Sequence, residues 1–216
     1  MPNIKIQDLT ASIIGTSRYG AKYDTVHVQT LINTDEPIPS TMNWYIPAGT
    51  SIPDEVLAMF KANNIDMYPQ TEGSILAGTE DILEQSKGNN FLETYSDASK
   101  LLLRSVMKLS TLDQVPNTTN CYTVFYDYKI YPAADGTFEF KVVLPFDGLT
   151  MLNGSSLVQT TVTCPIGSNI DSVKSFGVDP NGTIVTEETV VTVQTQKPIV
   201  TFQYRQDPLF VIAYRY

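Results

Sequence analysis

Hydrophobic and polar residues alternate along much of this chain, and the period of their alternation changes once. In CYTVFYDYKI, Tyr122, Val124, Tyr126 and Tyr128 fall on one side. An apolar residue at every second position marks a half-buried strand. PAADG then turns the chain, and TFEFKVVL answers with Phe138, Phe140, Val142 and Leu144 on one face and Glu139 and Lys141 on the other. QTTVTC, GTIVTEE, TVVTVQTQ, IVTFQYR and a closing DPLFVIAYRY follow, separated by Asp-Gly, Pro-Asn-Gly, Lys-Pro and Asp-Pro turns. So many short strands in about a hundred residues predict an antiparallel β-sandwich, or a barrel-like relative of one, over residues 118–216.

Before that point the period is mixed. Strands are predicted at Lys5–Ile14 and Thr25–Ile32, NTDEPIPST interrupts with two prolines, and NWYIP gives a short extended piece. SIPDEVLAMFKANN reads as a short amphipathic helix. Ser51 can cap it with Asp54 three residues on, Pro53 is tolerated in the first turn, and Ile52, Val56 and Phe60 (with Met59) share a face. Asn63-Asn64 stops it, and IDMYP resumes an extended path. Thr79–Lys87 suits a second short helix ending at Gly88.

The strongest helical signal comes next. Phe91, Tyr95, Ala98, Leu102, Val106 and Leu109 are spaced by four, three, four, four and three, one apolar stripe over about five turns. Asn90 with Glu93 suits its N-terminal cap. The predicted fold class is therefore an α+β N-terminal half, residues 1–112, followed by the all-β antiparallel half.

The closing strand has no polar side. Leu209, Val211 and Ala213 alternate with Phe210, Ile212 and Tyr214, and neither set is interrupted before Arg215. A strand with two apolar faces belongs in the middle of a covered sheet, or at a contact with a neighbouring chain by strand addition. Leu209, Phe210, Val211, Ile212, Tyr214 and Tyr216 are accordingly the candidate interface residues.

Composition narrows the partners. Charged residues make up 17% of the 216, below the roughly 25% of ordinary soluble domains. Few charges mean little repulsion between copies. The net charge is −9 with no basic run, which disfavours direct nucleic-acid binding and an anionic membrane surface. No apolar run approaches the ~18 residues of a membrane span. MPNIKIQDLTASIIGTS lacks the basic start and apolar core of a secretory signal, so synthesis in a cytosol is expected. Cys121 and Cys164 then suit thiols better than a disulfide. The sequons at Asn117, Asn153 and Asn181 read as turns.

Chemical candidates each meet a plainer explanation. His27, the sole histidine, lies on the polar side of an alternating strand, whereas zinc sites recruit several His or Cys ligands. Cys121 has no base or electropositive neighbour in sequence, and suits a core thiol. The acidic pairs Asp35-Glu36, Asp54-Glu55, Glu80-Asp81 and Glu187-Glu188 fall where helix starts and solvated turns want negative charge. The DPNG of Asp179–Gly182 and the AADG of Ala133–Gly136 lack the alternating ligands of a calcium loop. No nucleotide-binding, nucleophile-elbow or zinc-protease motif occurs. No catalytic residue, metal or cofactor is implied.

An acidic, Thr/Asn/Tyr-rich chain with a mixed front and a β-sandwich rear resembles the accessory virion proteins of tailed bacteriophages, namely head decoration proteins, head fibres and tail or baseplate adaptors. The resemblance lies in composition and architecture and carries over no residue. It implies a non-catalytic assembly protein, made in the host cytoplasm and located in the virion, probed by its contacts with the major capsid protein or tail proteins and with its own copies. Residues 1–112 would anchor or oligomerise. Two alternatives remain: a carbohydrate- or surface-binding module using Trp44 and tyrosines among the twelve present, and a hydrolase using acidic residues.

Overall fold

The computed structural model describes residues 2–48, 52–62, 65–152, 155–179, 181–185, 189–193, 196–204 and 209–216. Ser51, the Asn63-Asn64 stop, the Asn153-Gly154 turn, Glu187-Glu188 and the Asp207-Pro208 turn lie outside the described residues.

The chain opens with strands β1 (Asn3–Ile14) and β2 (Asp24–Thr34), then the short β3 (Trp44–Pro47). Helix α1 (Asp54–Ala62), strand β4 (Gln70–Thr71) and helices α2 (Glu72–Leu76), α3 (Ile82–Lys87) and α4 (Phe91–Ser105) follow. Strands β5 (Met107–Leu109), β6 (Asp113–Gln114), β7 (Cys121–Ile130), β8 (Phe138–Val143) and β9 (Thr150–Met151) come next. The remainder is β10 (Leu157–Thr163), β11 (Asn169–Ile170), β12 (Phe176–Val178), β13 (Ile184–Val185), β14 (Thr189–Val193), β15 (Ile199–Tyr204) and β16 (Leu209–Arg215). The molecule is mostly β, and among the described residues its four α-helices all lie between Asp54 and Ser105. None of them is long and apolar enough to cross a membrane.

Eight strands form the largest sheet, in the order β14-β15-β10-β1-β2-β7-β6, with β9 beside the start of β1. Its central strand is β1, antiparallel to β2 and parallel to β10. This sheet takes strands from both sides of the 112–118 change in period. An α+β front and a β-sandwich rear therefore do not appear as separate sheets. The sequence shows the change of period because the helices cluster before it, while pairing between distant strands leaves no mark on local periodicity.

The second sheet has five strands, with β8 on one edge of β16 and β11 and β12 on the other, and β13 outside β12. The closing strand is thus central, as its two apolar faces require. Phe210, Ile212 and Tyr214 are fully buried, and Leu209 and Val211 are half-buried. Facing residues of the two sheets share one core. Phe210 meets Phe202 and Tyr204 at ring separations of 5.5 and 4.9 Å, and Tyr128 meets Phe140 at 6.5 Å.

A register shift between Ile4 and Ile6 of β1 reverses the alternation that the sequence suggests there. A one-residue slip moves side chains to the opposite face. Ile6 turns outward, and Gln7 turns into the core, where its Oε1 accepts a hydrogen bond from the Phe146 amide at 3.0 Å.

A three-stranded sheet, β4-β3-β5, carries the helices, over a small core of Phe60, Ile75, Leu103 and Met107. Here the predicted five-turn helix stops early. After Ser105 the chain becomes β5 and pairs with β3, Met107 opposite Pro47 and Leu109 opposite Tyr45. The competition is won by β3, whose backbone groups need a partner. Leu57 and Phe60 of α1 are buried, as is Ile52 just before it, while Met59 is exposed. Helix α2 was not apparent from periodicity. Its signal is the cap, Thr71 Oγ1 accepting from the Ser74 amide at 3.3 Å.

Candidate functional site

Helix α4 sits in the fold the unexpected way round. A helix at a protein surface normally buries its apolar stripe and shows its charges to water. In α4 the stripe residues Phe91, Tyr95 and Ala98 are exposed, and only its C-terminal members Leu102 and Val106 reach the small core. The docked side carries Leu103, which enters the small core, together with charged groups. Asp97 is buried and receives Lys100 Nζ at 2.9 Å, and the same ammonium donates to the Ala77 carbonyl at 2.6 Å. Arg104 Nε donates to Glu72 at 2.8 Å, and its guanidinium lies 3.6 Å from the Tyr45 ring centroid. The bonded Lys100 ammonium holds the Asp97 carboxyl below the usual carboxylate range. Asn90, expected to cap the helix, instead donates its side-chain amide to Glu93.

The face left outward contains Phe91, Tyr95, Ala98, Leu101 and Ser105, all exposed, with no charge among them. Leu92 of α4 and Leu83 of α3 are exposed as well. A hollow of about 260 Å³ opens along its flank, lined by Ile65, Tyr95, Ser96, Ser99, Lys100 and Leu103. This is the candidate functional surface. Periodicity located the stripe but could not tell which way it faces.

The candidate interface residues of the closing strand occupy different places. Phe210, Ile212 and Tyr214 are enclosed in the core by the chain itself, and neighbouring strands occupy both edges of β16. Leu209 and Val211 lie half-covered, and Tyr216 is 43% exposed.

Tyr214 and Tyr216 instead belong to an internal constellation. Both hydroxyls donate to Oδ2 of Asp24, at 2.6 and 2.7 Å. The other oxygen, Oδ1, receives the Ser17 amide at 2.9 Å and the Ser17 hydroxyl at 2.6 Å. An ionised carboxylate has about four lone-pair sites and no donor. Four donors thus fill it, and Asp24 can be fully buried without a cation. Burial first, and Asp24 next, push both tyrosine hydroxyls above their usual range. Arg18 lies over the Tyr216 ring at 5.2 Å, and a Cβ on Gly15 would collide with the Tyr216 hydroxyl. The cluster ties β16 to the turn after β1. Nothing in the sequence joins residues 24 and 214.

The remaining candidates settle into structural roles. Trp44, offered as a sugar-binding residue, is fully buried. Its indole N–H donates to the Asp147 carbonyl at 2.7 Å, and its ring meets Phe146 edge-on. Tyr122, Tyr126, Tyr128 and Tyr204 are buried as well. His27 is exposed opposite Asp127 on the outer face of the eight-stranded sheet. Cys121 is half-buried and Cys164 buried, both as free thiols, and burial pushes Cys164 up to about 12. Among the acidic pairs, Asp35 accepts from Asn3 through both its amides at 2.7 Å. Asp54 pairs with Lys129 at 2.9 Å, which lowers its carboxyl below the usual range. In the DPNG turn, Asp179 accepts from the Asn181 and Thr183 amides, as a tight turn requires. Among the described residues no group of three His, Cys, Asp or Glu is arranged to hold a metal ion. Compared with models of known protein families and with curated proteins, the chain matches none.

Proposed function

We propose that this chain is a non-catalytic structural protein of a viral particle, capsid-associated in the manner of head decoration proteins, head fibres or tail adaptors, and acting through protein–protein contacts. The observation that carries the proposal is the outward, uncharged face of α4. A helix that docks through Leu103 and its charges and leaves Phe91, Tyr95 and Ala98 of its apolar stripe in water offers a surface suited to another protein. The finer architecture assists: an α/β part between residues 54 and 109 that anchors, on a β-sandwich framework that stiffens it. Low charge density favours dense packing of copies and neighbours such as a capsid or tail protein. Particles purified from producing cells should contain the chain, and a Tyr95→Asp chain with unchanged circular dichroism should occupy them at least tenfold less. Particles devoid of the wild-type chain would reject the proposal.

A second function has its own observation. On the outer face of the eight-stranded sheet, Phe125 is 54% exposed, beside Gln29 on β2 and with Thr123 and Asp127 on either side along β7. An exposed ring among amide, hydroxyl and carboxylate groups suits a sugar, which stacks its C–H face and is held by its hydroxyls. Calorimetry against a panel of oligosaccharides, with and without calcium, should then register binding that Phe125→Ala removes. A blank panel disposes of it.

A further inference from the structure

We infer that a groove between the β1–β2 turn and the segment after β10 receives an acidic segment of another protein, a carboxylate carried beside an apolar side chain. The groove has a volume of about 150 Å³, and its lining includes Ile14, Arg18, Tyr19, Ile166 and Lys197, all exposed. None of these residues lies on α4 or around Phe125, so the groove is a surface of its own.

The first support is that Arg18 is held in position before anything binds. Its guanidinium donates to the Ile166 carbonyl and lies 5.2 Å from the Tyr216 ring centroid. Gly167, in the left-handed region at φ +75°, leaves the room for it, since a Cβ there would come within 2.6 Å of an Arg18 nitrogen. A side chain already ordered gives up little entropy on binding. A guanidinium carries five N–H donors in a fork that matches a carboxylate. The one side-chain hydrogen bond of Arg18 among the described residues goes to Ile166, which leaves donors for a ligand.

The second support is charge complementarity. Arg18 and Lys197 line the groove and no carboxylate does, on a chain with 23 acidic residues against 14 basic ones. Two cations attract a carboxylate at close range, while the net charge of −9 repels extended polyanions such as nucleic acid. The third is the apolar surround. Ile14, Tyr19 and Ile166 are 44, 90 and 62% exposed. Arg and Tyr together are typical anchors of protein contacts, and 150 Å³ is about the room that one benzene ring takes. The occupant is therefore an Asp or Glu next to a Leu or Phe.

An NMR titration of the purified chain with the peptide acetyl-Asp-Leu-Phe-Glu-amide at low salt tests this. Shifts should concentrate on Arg18, Tyr19, Ile166 and Gly167. The peptides acetyl-Asn-Leu-Phe-Gln-amide and acetyl-Asp-Ser-Ser-Glu-amide should each bind at least about tenfold more weakly, as loss of a charge-assisted bond or of the apolar contact requires. Arg18→Lys keeps the charge but loses the fork, and should weaken the acidic peptide by about tenfold as well. Tyr19→Ser, at a position in open water, preserves the fold and should also weaken it. Equal binding of the acidic and amide peptides overturns the inference. So do shifts elsewhere on the surface, indifference to both variants, or displacement of the peptide by an equal concentration of inorganic phosphate. A chain that binds no peptide overturns it too, and leaves the α4 assembly role to the particle experiment, which does not involve this groove.

Discussion

An Ile212→Asp chain is expected to lose its cooperative fold, whereas Ile212→Val should cost only about 0.5–1.5 kcal/mol. Ile212 is fully buried on the strand at the centre of the five-stranded sheet, opposite Phe140. A carboxylate there would have neither water nor a cation, a penalty of several kcal/mol set against a total stability of roughly 5–15 kcal/mol. Removal of residues 209–216 should have the same outcome, because it also strips β8, β11 and β12 of their shared partner. Soluble yield, near-ultraviolet circular dichroism and thermal unfolding check both variants. A truncated chain that still unfolds cooperatively would show that β16 is dispensable.

Asp24→Ala should destabilise the protein by about 3–5 kcal/mol, since it leaves buried donors that had a charged acceptor. For a chain of this size that is a fall of roughly 10 °C in Tm. Tyr214→Phe removes one of those donors, so the double variant should be more stable than the two single losses predict, by at least about 0.5 kcal/mol. Strict additivity would mean that the Tyr214–Asp24 bond contributes nothing. The cluster also sets an alkaline limit. The Tyr214 hydroxyl is raised above its ordinary value of 10.0, first by burial and then by Asp24. A group whose pKa is higher in the folded state gives its full stability below the unfolded value and loses it as pH climbs beyond. Unfolding midpoints should therefore be level up to about pH 10 and fall above it, more gently in Asp24→Ala/Tyr214→Phe.

Much of the strand inventory was legible because period two is a local signal. The alternations in CYTVFYDYKI and TFEFKVVL fix their buried sides, while the two-faced apolar run at 209–214 allowed either a central strand or an edge lent to a neighbour, and the strand is central. Partners were not legible. That β1 lies parallel to β10 depends on residues about 150 positions apart, and no window of sequence holds both. At 209–216 apolarity says that a face is covered, not whether the cover belongs to the same chain; Phe210, Ile212 and Tyr214 are covered by the chain itself. In α4 the ambiguity ran the opposite way. A stripe of that period ordinarily faces a core, and the exposure of Phe91 and Tyr95, with Asp97 and Arg104 paired on the other side, shows that its first turns point outward. Trp44 and Asp24 were invisible as anchors because their hydrogen-bond partners, Asp147 and Tyr214, lie far along the chain.

The parallel pairing of β1 with β10 has a consequence for how the molecule is born. During synthesis β1 cannot complete its central position until residues 157–163 have emerged, and the second sheet must wait for β16. At roughly 5–20 residues per second, that is a delay on the order of ten seconds or more in which the apolar side of β1 and β2 stands open. Nascent chains of this protein should accordingly be good clients of ribosome-associated chaperones, and folding should gather into a late, nearly all-or-none step once β16 has emerged.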